Sequence, residues 1–304
     1  MSQETILVTG SRGLIGTALC SVLRSLDHDV RTFDIADDQG GFGDILSKSG
    51  LERAMQGCTG VVHLAAVSRV VWGEQAPVSC FETNVTGTKN VVDCITSRDR
   101  PPWLIYGSSR EVYGQGQMLP LTEGARLRPM NNYARSKVAA EGLVADAHGA
   151  GIRAAILRFS TVYGTVADHA DRVIPAFCRA AIAGDPLMVE GPGNCLDITH
   201  VSDVAEGIAN VASGLARGHR LQPMHLTTGH GTSLADLAQA VKNLADSGSE
   251  IRPVPPRDFD VSRFVGDPDL AQRQIGWQPK TSLDTGLAEL VCNFRKAAGV
   301  SLDA

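Results

Sequence analysis

The strongest constraint on the fold is an alternation in the first half of the chain between short apolar runs and longer amphipathic segments. The runs cover residues 6–9, 29–35, 60–66, 103–107 and 153–159, and helical apolar spacing covers residues 14–26, 81–97 and 132–148. Continuous apolar strands separated by helices predict a parallel sheet that is covered on both faces. Right-handed crossovers wind such a sheet into a doubly wound, Rossmann-type α/β domain.

The pattern changes after about residue 165. Helical spacing then covers residues 175–183, 201–213, 234–245 and 283–297, and short strand-like runs cover residues 187–190 and 224–228. Residues 252–258 contain three prolines and predict irregular chain. We therefore expect residues 1–165 to form the Rossmann domain. Residues 166–304 are expected to form mainly a smaller C-terminal α/β substrate lobe, with some segments returning to the first sheet.

Composition excludes several classes of partner. The net charge of -5 offers no basic stripe for nucleic acid, and no apolar run approaches the ~20 residues of a membrane span. The first residues show no signal peptide. Seven cysteines form no C-x-x-C pair, and eight histidines show no metal-ligand spacing. These features predict a cytoplasmic protein with reduced thiols, no metal, no nucleic-acid partner and no membrane partner.

Three glycines join the first strand to the first helix. Gly10 permits a tight turn, Gly13 lets the backbone approach a pyrophosphate, and Gly16 allows the helix to pack closely on the strand. Their G-x-x-G-x-x-G spacing differs from the G-x-G-x-x-G of dehydrogenases. The spacing alone is weak evidence, since an ordinary strand-to-helix turn also uses glycine.

An acidic residue at the end of the second strand strengthens the dinucleotide prediction. Asp34 can accept hydrogen bonds from the adenosine ribose hydroxyls and repels a 2′-phosphate, so NAD is favoured over NADP. Arg12 is the contrary sign, because its guanidinium could pair with a 2′-phosphate. With Asp34 present, we interpret Arg12 as a solvated loop residue.

A tyrosine and a lysine indicate acid/base chemistry. Tyr133 and Lys137 lie four residues apart on a predicted helix and share a face. An ammonium beside a phenol stabilises the phenolate, so we expect Lys137 to lower the pKa of Tyr133. Ser108 and Ser109 follow the strand at 103–107, at the edge where such sheets bind ligands. A serine there can hydrogen-bond the same substrate oxygen.

Further motifs follow in order along almost the whole chain. They are residues 63–66 (HLAA), 84–88 (NVTGT), 108–114 (SSREVYG), 157–164 (LRFSTVYG), 197–204 (DITHVSDV) and 276–279 (GWQP). Together with the glycine loop, Asp34 and the Tyr133/Lys137 pair, they resemble the extended short-chain dehydrogenase/reductase family, in its NAD-dependent nucleotide-sugar epimerase/dehydratase branch.

The resemblance implies roles for matching positions. Tyr133 takes a proton from a sugar hydroxyl, Lys137 also holds the nicotinamide ribose, and Ser109 hydrogen-bonds the reacting oxygen. The implied cofactor-binding residues are Gly10, Arg12, Gly13, Leu14, Ile15, Gly16, Asp34, Asp44, Ile45, Leu64, Ala65, Ala66, Asn84, Tyr133 and Lys137. Asn84 is expected to brace the loop near the groove. The resemblance also implies a homodimer, in which the helices near 81–97 and 132–148 form a four-helix bundle.

Some positions depart from the family pattern. Thr161 replaces an asparagine that commonly contacts the sugar nucleotide, and Leu196 replaces an arginine that often contacts the diphosphate. Arg257 is then the remaining candidate for the diphosphate, through its planar guanidinium. Arg69 is a further candidate that could face the substrate.

Glu111 separates the reactions of this branch. Dehydratases carry Thr-Asp-Glu where this chain has Ser109, Arg110 and Glu111, and decarboxylases often carry Ser or Thr, any residue, then Glu. A carboxylate beside a keto-sugar could abstract a ring proton, or it could simply pair with Arg110. The sequence favours an NAD-dependent 4-epimerase acting on a UDP-sugar-like nucleotide-diphosphate sugar. A lyase that uses Glu111 and a catalytically silent dinucleotide-sensing protein remain alternatives.

Overall fold

The computed structural model describes residues 3–37, 43–115 and 118–299. Its first half alternates strands with helices from the first residues onward. The elements are β1 (Thr5–Thr9), α1 (Leu14–Ser25), β2 (Asp29–Phe33), α2 (Lys48–Ala54), β3 (Gly60–His63), α3 (Val70–Gln75), α4 (Pro77–Phe81), α5 (Gly87–Thr96), β4 (Trp103–Ser109), α6 (Asn132–Gly149) and β5 (Ala154–Phe159). A π-helical turn, Glu82–Thr86, joins α4 to α5, and a 3-10 turn, Arg110–Tyr113, follows β4.

The second half has shorter strands between its helices. The elements are β6 (Thr161–Tyr163), α7 (Val173–Ala183), β7 (Leu187–Glu190), β8 (Cys195–His200), α8 (Val201–Ala216), β9 (Met224–Leu226), β10 (Gly231–Ser233), α9 (Leu234–Leu244), β11 (Ile251–Val254), β12 (Arg263–Phe264), α10 (Asp269–Ile275) and α11 (Leu283–Ala297). Within the described ranges, no helix has both the length and the apolar character needed to cross a membrane.

The main sheet has six parallel strands in the order β2-β1-β3-β4-β5-β9. Alternate side chains of β1 enter different cores, because successive residues of a strand point to opposite faces. Ile6 and Val8 pack with α1 and α8, while Leu7 packs with α2, α5 and α6. The predicted doubly wound parallel sheet is therefore confirmed.

The second half builds a smaller core of its own. The helices α7, α9 and α11 pack together with β7 and β8 around buried residues such as Phe177, Leu237 and Leu290. The strand β9 lies after residue 165 in the chain and pairs with β5, so it extends the first sheet. Residues that follow the carboxyl ends of β1 to β5 line one cavity together with residues of β7 and α9.

The expectation that residues 252–258 are irregular is wrong for their first part. Residues Ile251–Val254 form β11, which pairs in parallel with β7 in a two-stranded sheet. Pro253 is tolerated because β11 has a neighbour on one side only, so its missing N–H faces away from the ladder.

Candidate active site

A large cavity follows the carboxyl edge of the main sheet and continues to the smaller core. Its volume is about 1060 Å³, at the upper limit of the roughly 300–1,000 Å³ usual for one small ligand. The lining begins at the glycine loop, passes the ends of β2, β3, β4 and β5, and reaches β7 and α9. The cavity therefore has room for a dinucleotide and a second ligand.

The glycine loop brings backbone close to the cavity. Gly10 has a φ of +68°, and a Cβ there would lie 2.6 Å from the backbone nitrogen of Ala65. A Cβ on Gly16 would lie 2.1 Å from the carbonyl oxygen of Gly10. Only glycine meets both requirements. The loop opens directly into α1, whose N-terminal amides favour a phosphate.

Two carboxylates meet the loop from β2 and the segment after it. Asp34 accepts hydrogen bonds from the backbone N–H groups of Arg12 and Ala36, each at 2.9 Å. The Arg12 guanidinium pairs with Asp37. Asp34 therefore faces the cavity with a fixed orientation. Arg12 also lines the cavity, and its guanidinium is exposed to solvent while it pairs with Asp37.

The other expected dinucleotide contacts lie along the same wall, with one exception. Asp44, Ile45 and the three residues Leu64, Ala65 and Ala66 all line the cavity. Asn84 is buried behind it: the side-chain amide donates to the carbonyl of Val67 at 3.1 Å and to Ser136 Oγ at 2.8 Å, and Asn84 Oδ1 accepts from the N–H of Val67. Asn84 thus holds the loop that forms the wall.

Tyr133, Lys137 and Ser109 converge where this wall ends. Asn131 caps α6 by accepting from the Ala134 N–H at 2.7 Å, which fixes the first turn that carries Tyr133. Ser109 ends β4. The Lys137 ammonium donates to the Gly107 carbonyl at 2.9 Å and lies 5.8 Å from the centre of the Tyr133 ring. The three side chains form a compact group on the cavity surface.

Burial, and not the neighbouring Lys137 ammonium, dominates the pKa of Tyr133. Burial raises the pKa of Tyr133 to about 12, and the Glu111 carboxylate also raises it, while Ser109 and Arg172 lower it. Lys137 bonds the Gly107 carbonyl instead of the phenol oxygen. Burial lowers the pKa of Lys137 to about 8, because the charged form is poorly solvated there.

Glu111 is held in place by two neighbours. Its Oε1 lies 3.0 Å from the Arg110 guanidinium, and its Oε2 accepts from the Asn131 amide at 3.0 Å. Burial raises the pKa of Glu111, whereas Arg110 and Asn131 lower it. Because Asn131 also caps α6, Glu111 supports the helix that carries Tyr133, in addition to lining the cavity.

The three predicted substrate residues line the cavity. Arg69 pairs with Asp171, and Thr161 starts β6. Arg257 pairs with Asp260 at 2.7 Å and with Glu190 at 3.3 Å. Both arginines therefore have carboxylate partners that an anionic ligand would have to compete with.

Sequence reasoning misses the loop before α7. The sequence alone favours a solvated loop for His169 and Asp171, yet both line the cavity, as does Arg172. The available signal is their place soon after β5, which pairs with β4 and so ends at the same sheet edge as Ser109. Within the part of the chain that the structure describes, no three His, Cys, Asp or Glu side chains form a metal-binding group.

The residues present fit a bound NAD. The glycine cradle excludes any Cβ at Gly10 and Gly16, Asp34 is oriented toward the cavity, and Lys137 stands at the far end of the groove. These features lie along one continuous cavity and match in kind what the phosphates, a ribose and the nicotinamide end of the dinucleotide would need.

Comparison with known proteins gives a consistent result. A family model described as the NAD dependent epimerase/dehydratase family matches residues 6–221. A UDP-glucose 4-epimerase from Rhizobium leguminosarum bv. trifolii is 28% identical, over 93% of this chain and 95% of that protein. UDP-glucuronic acid decarboxylase 6 from Arabidopsis thaliana is 28% identical, over 98% of this chain and 91% of that protein.

A solved structure agrees with these relatives. The Thermus thermophilus UDP-glucose 4-epimerase in complex with NAD superposes with a TM-score of 0.85 at 28% identity. The match covers 96% of this chain and 99% of that one. The similarity therefore extends over both the Rossmann sheet and the smaller core.

Proposed function

Because the chain belongs to the NAD-dependent epimerase/dehydratase family, we propose that it is a nucleotide-sugar 4-epimerase acting on a UDP-sugar-like substrate. The observation that carries the proposal is the position of Ser109, Tyr133 and Lys137 in one cavity with the glycine loop. Relatives named as UDP-glucose 4-epimerases match nearly the whole chain. Retention of all three polar side chains argues against a silent dinucleotide-sensing protein.

The residues divide the reaction between them. When bound, NAD would supply a reversible hydride acceptor beside the sugar C4. Tyr133 takes the proton of the C4 hydroxyl, and the Ser109 hydroxyl donates a hydrogen bond to the same oxygen. The positive charge of Lys137, 5.8 Å from the centre of the Tyr133 ring, favours the phenolate against the burial that raises the Tyr133 pKa. Arg69, Thr161 and Arg257 hold the rest of the nucleotide sugar, with Arg257 at the diphosphate.

Two measurements test this function. The purified protein is denatured and any released dinucleotide is identified by mass spectrometry, with NAD expected. The enzyme is then incubated with UDP-glucose, and a product of equal mass with inverted C4 is sought by NMR. Released NADP, or a product of lower mass, would contradict the proposal.

A lyase is the second candidate, because Glu111 lines the cavity and decarboxylases are among the relatives. We expect Glu111→Gln to keep a mass-conserving product and to change kcat by less than about tenfold, since glutamine can still accept from Asn131. Product masses from the wild type and the variant decide the point. A decarboxylated or dehydrated product that disappears in Glu111→Gln would establish the lyase instead.

The cofactor preference gives a separate prediction. We expect Asp34→Asn to raise the affinity for NADP relative to NAD by about tenfold, because roughly 1.4 kcal/mol of repulsion with a 2′-phosphate is removed. Calorimetric titration with both dinucleotides measures the ratio. Asp93→Asn, on α5 and outside the cavity lining, is the matched control and should leave it unchanged. An unaltered ratio in Asp34→Asn would remove Asp34 from the ribose site.

We also propose a cytoplasmic homodimer. Val78 is 71% exposed and Phe81 36% exposed, and both lie on α4 beside the expected bundle helices α5 and α6. Apolar side chains at such a surface are typical of an interface. Light scattering at micromolar concentration should give twice the chain mass, and Phe81→Lys should shift it toward the monomer. A monomeric wild type would overturn this proposal.

A further inference from the structure

Four side chains meet across the cavity from opposite halves of the chain. Arg69 and Trp72 come from the start of α3, while His169 and Asp171 come from the loop before α7. We call these four residues the clamp. Arg69 pairs with Asp171 through their side chains, and it donates a second hydrogen bond to the Asp171 carbonyl at 3.4 Å. The Trp72 and His169 rings meet edge to face with their centres 4.9 Å apart.

The first side of the clamp rests directly on the helix of Tyr133. A Cβ on Gly73 would lie 3.0 Å from the backbone nitrogen and the Cβ of Tyr133. Glu74 accepts a hydrogen bond from the Asn132 N–H at 2.7 Å. The Arg69 guanidinium also lies 5.5 Å from the centre of the Trp72 ring, which keeps the two side chains together. This side therefore has a fixed position relative to the phenol.

The other side leads into the smaller core. Asp171 is followed by Arg172, whose guanidinium lies 3.4 Å from Asp168 and whose charge acts on Tyr133. Val173 then begins α7, which packs with α9 and α11. The clamp thus connects the two walls of the cavity beside the proposed reacting group.

The contacts are suited to opening and closing. Arg69 is mostly buried, but Asp171 is 64% exposed, so water reaches the ion pair from the Asp171 side and weakens it. A single edge-to-face aromatic pair also contributes little. A substrate can therefore separate the four side chains as it enters, and they can meet again behind it.

We infer that Arg69 and Trp72, through Asp171 and His169, keep the oxidised sugar in the cavity until it has been reduced again. This inference rests on the proposed epimerase function. Oxidation moves a hydride from C4 to the cofactor and a proton to Tyr133, leaving a C4 ketone. If the keto-sugar escapes, the hydride stays on the cofactor, so each lost sugar leaves one reduced cofactor on the enzyme. A closed clamp prevents that loss.

The test compares wild type with Arg69→Gln, Trp72→Leu and their combination. We expect the double variant to raise the fraction of turnovers that end in reduced cofactor by about tenfold, the factor that one partly exposed ion pair and one aromatic contact can supply. Absorbance of the reduced nicotinamide measures it. Borodeuteride trapping in the filtrate should recover the keto-sugar in equal amount. Lys280→Gln, which breaks an exposed ion pair with Glu206 far from the cavity, is the matched control.

Hydrogen exchange of the same proteins without substrate gives a second readout. Residues 165–172 should exchange faster in the double variant than in wild type or Lys280→Gln. A fall in kcat with no reduced cofactor and unchanged exchange would overturn the inference, because Arg69 and Trp72 would then act only by binding the substrate and not by closing the cavity. A wild type that yields a lower-mass product would refute the proposed epimerase function. The exchange rates and the trapped ketone would still test the clamp, so the two failures can be told apart.

Discussion

Tyr133→Phe is expected to lower kcat by about 10²- to 10⁴-fold, the contribution usual for a positioned general acid or base. The phenol oxygen is the group that faces both Ser109 and the cavity, and phenylalanine removes it while leaving the packing of the ring unchanged. The variant should still bind NAD, because the glycine loop and Asp34 are untouched. Initial rates of C4 inversion measure the effect.

The control for this variant is a tyrosine outside the cavity. Tyr163 is buried, and its hydroxyl makes one long hydrogen bond, 3.4 Å to the Leu283 carbonyl. Tyr163→Phe should keep kcat within about threefold, since a weak neutral hydrogen bond contributes little. If Tyr133→Phe retained full activity, the assignment of the proton transfer to Tyr133 would be wrong.

The central fold could be predicted because its signals are local and repeated. The apolar run at 103–107 corresponds to β4, and every strand of the main sheet lies within a run or short segment visible in the sequence. The smaller core was harder to predict. Its strand β11 contains Pro253 and exists only because β7 lies beside it, a tertiary contact that no local pattern encodes.

The site also contains residues that local sequence patterns predict and contacts that depend on tertiary packing. The glycine loop, Asp34, Ser109 and Tyr133 line one cavity because parallel strands bring their carboxyl ends to one edge. The contact between Arg69 and Asp171 joins residues far apart in sequence and depends on how the two halves pack. The direction of the Tyr133 pKa was also beyond the sequence, since the spacing of Tyr133 and Lys137 on a helix does not show that the phenol is buried.

The second large effect is expected behind the site, at a buried ion pair. Glu141 lies one turn after Lys137 on α6 and forms two hydrogen bonds with Arg158 of β5, at 2.9 and 2.7 Å. Glu141 also accepts from Ser108 Oγ at 2.5 Å. Both charged side chains are almost fully buried. Glu141→Leu should lower the free energy of unfolding by about 3–5 kcal/mol, because it leaves the Arg158 charge without its carboxylate.

A second substitution separates charge from packing. Glu141→Leu combined with Arg158→Met removes both charges, so most of the lost stability should return, as with other buried pairs replaced by apolar residues. Urea unfolding measures both variants. Lys89→Leu breaks an exposed ion pair with Asp93 and should cost about 0.2–1 kcal/mol. If the single and double variants lost equal stability, removing the unpaired Arg158 charge would have restored nothing. The attraction between Glu141 and Arg158 would then itself stabilise the fold.

The double variant also tests what the pair does for the site. Ser108 precedes Ser109 on β4, and Glu141 joins that strand to the helix of Tyr133 and Lys137. If the pair orients these side chains, the double variant should fold and bind NAD while kcat stays at least about tenfold low, because small displacements of reacting groups are costly. Full activity in a stable double variant would limit the role of Glu141 and Arg158 to stability.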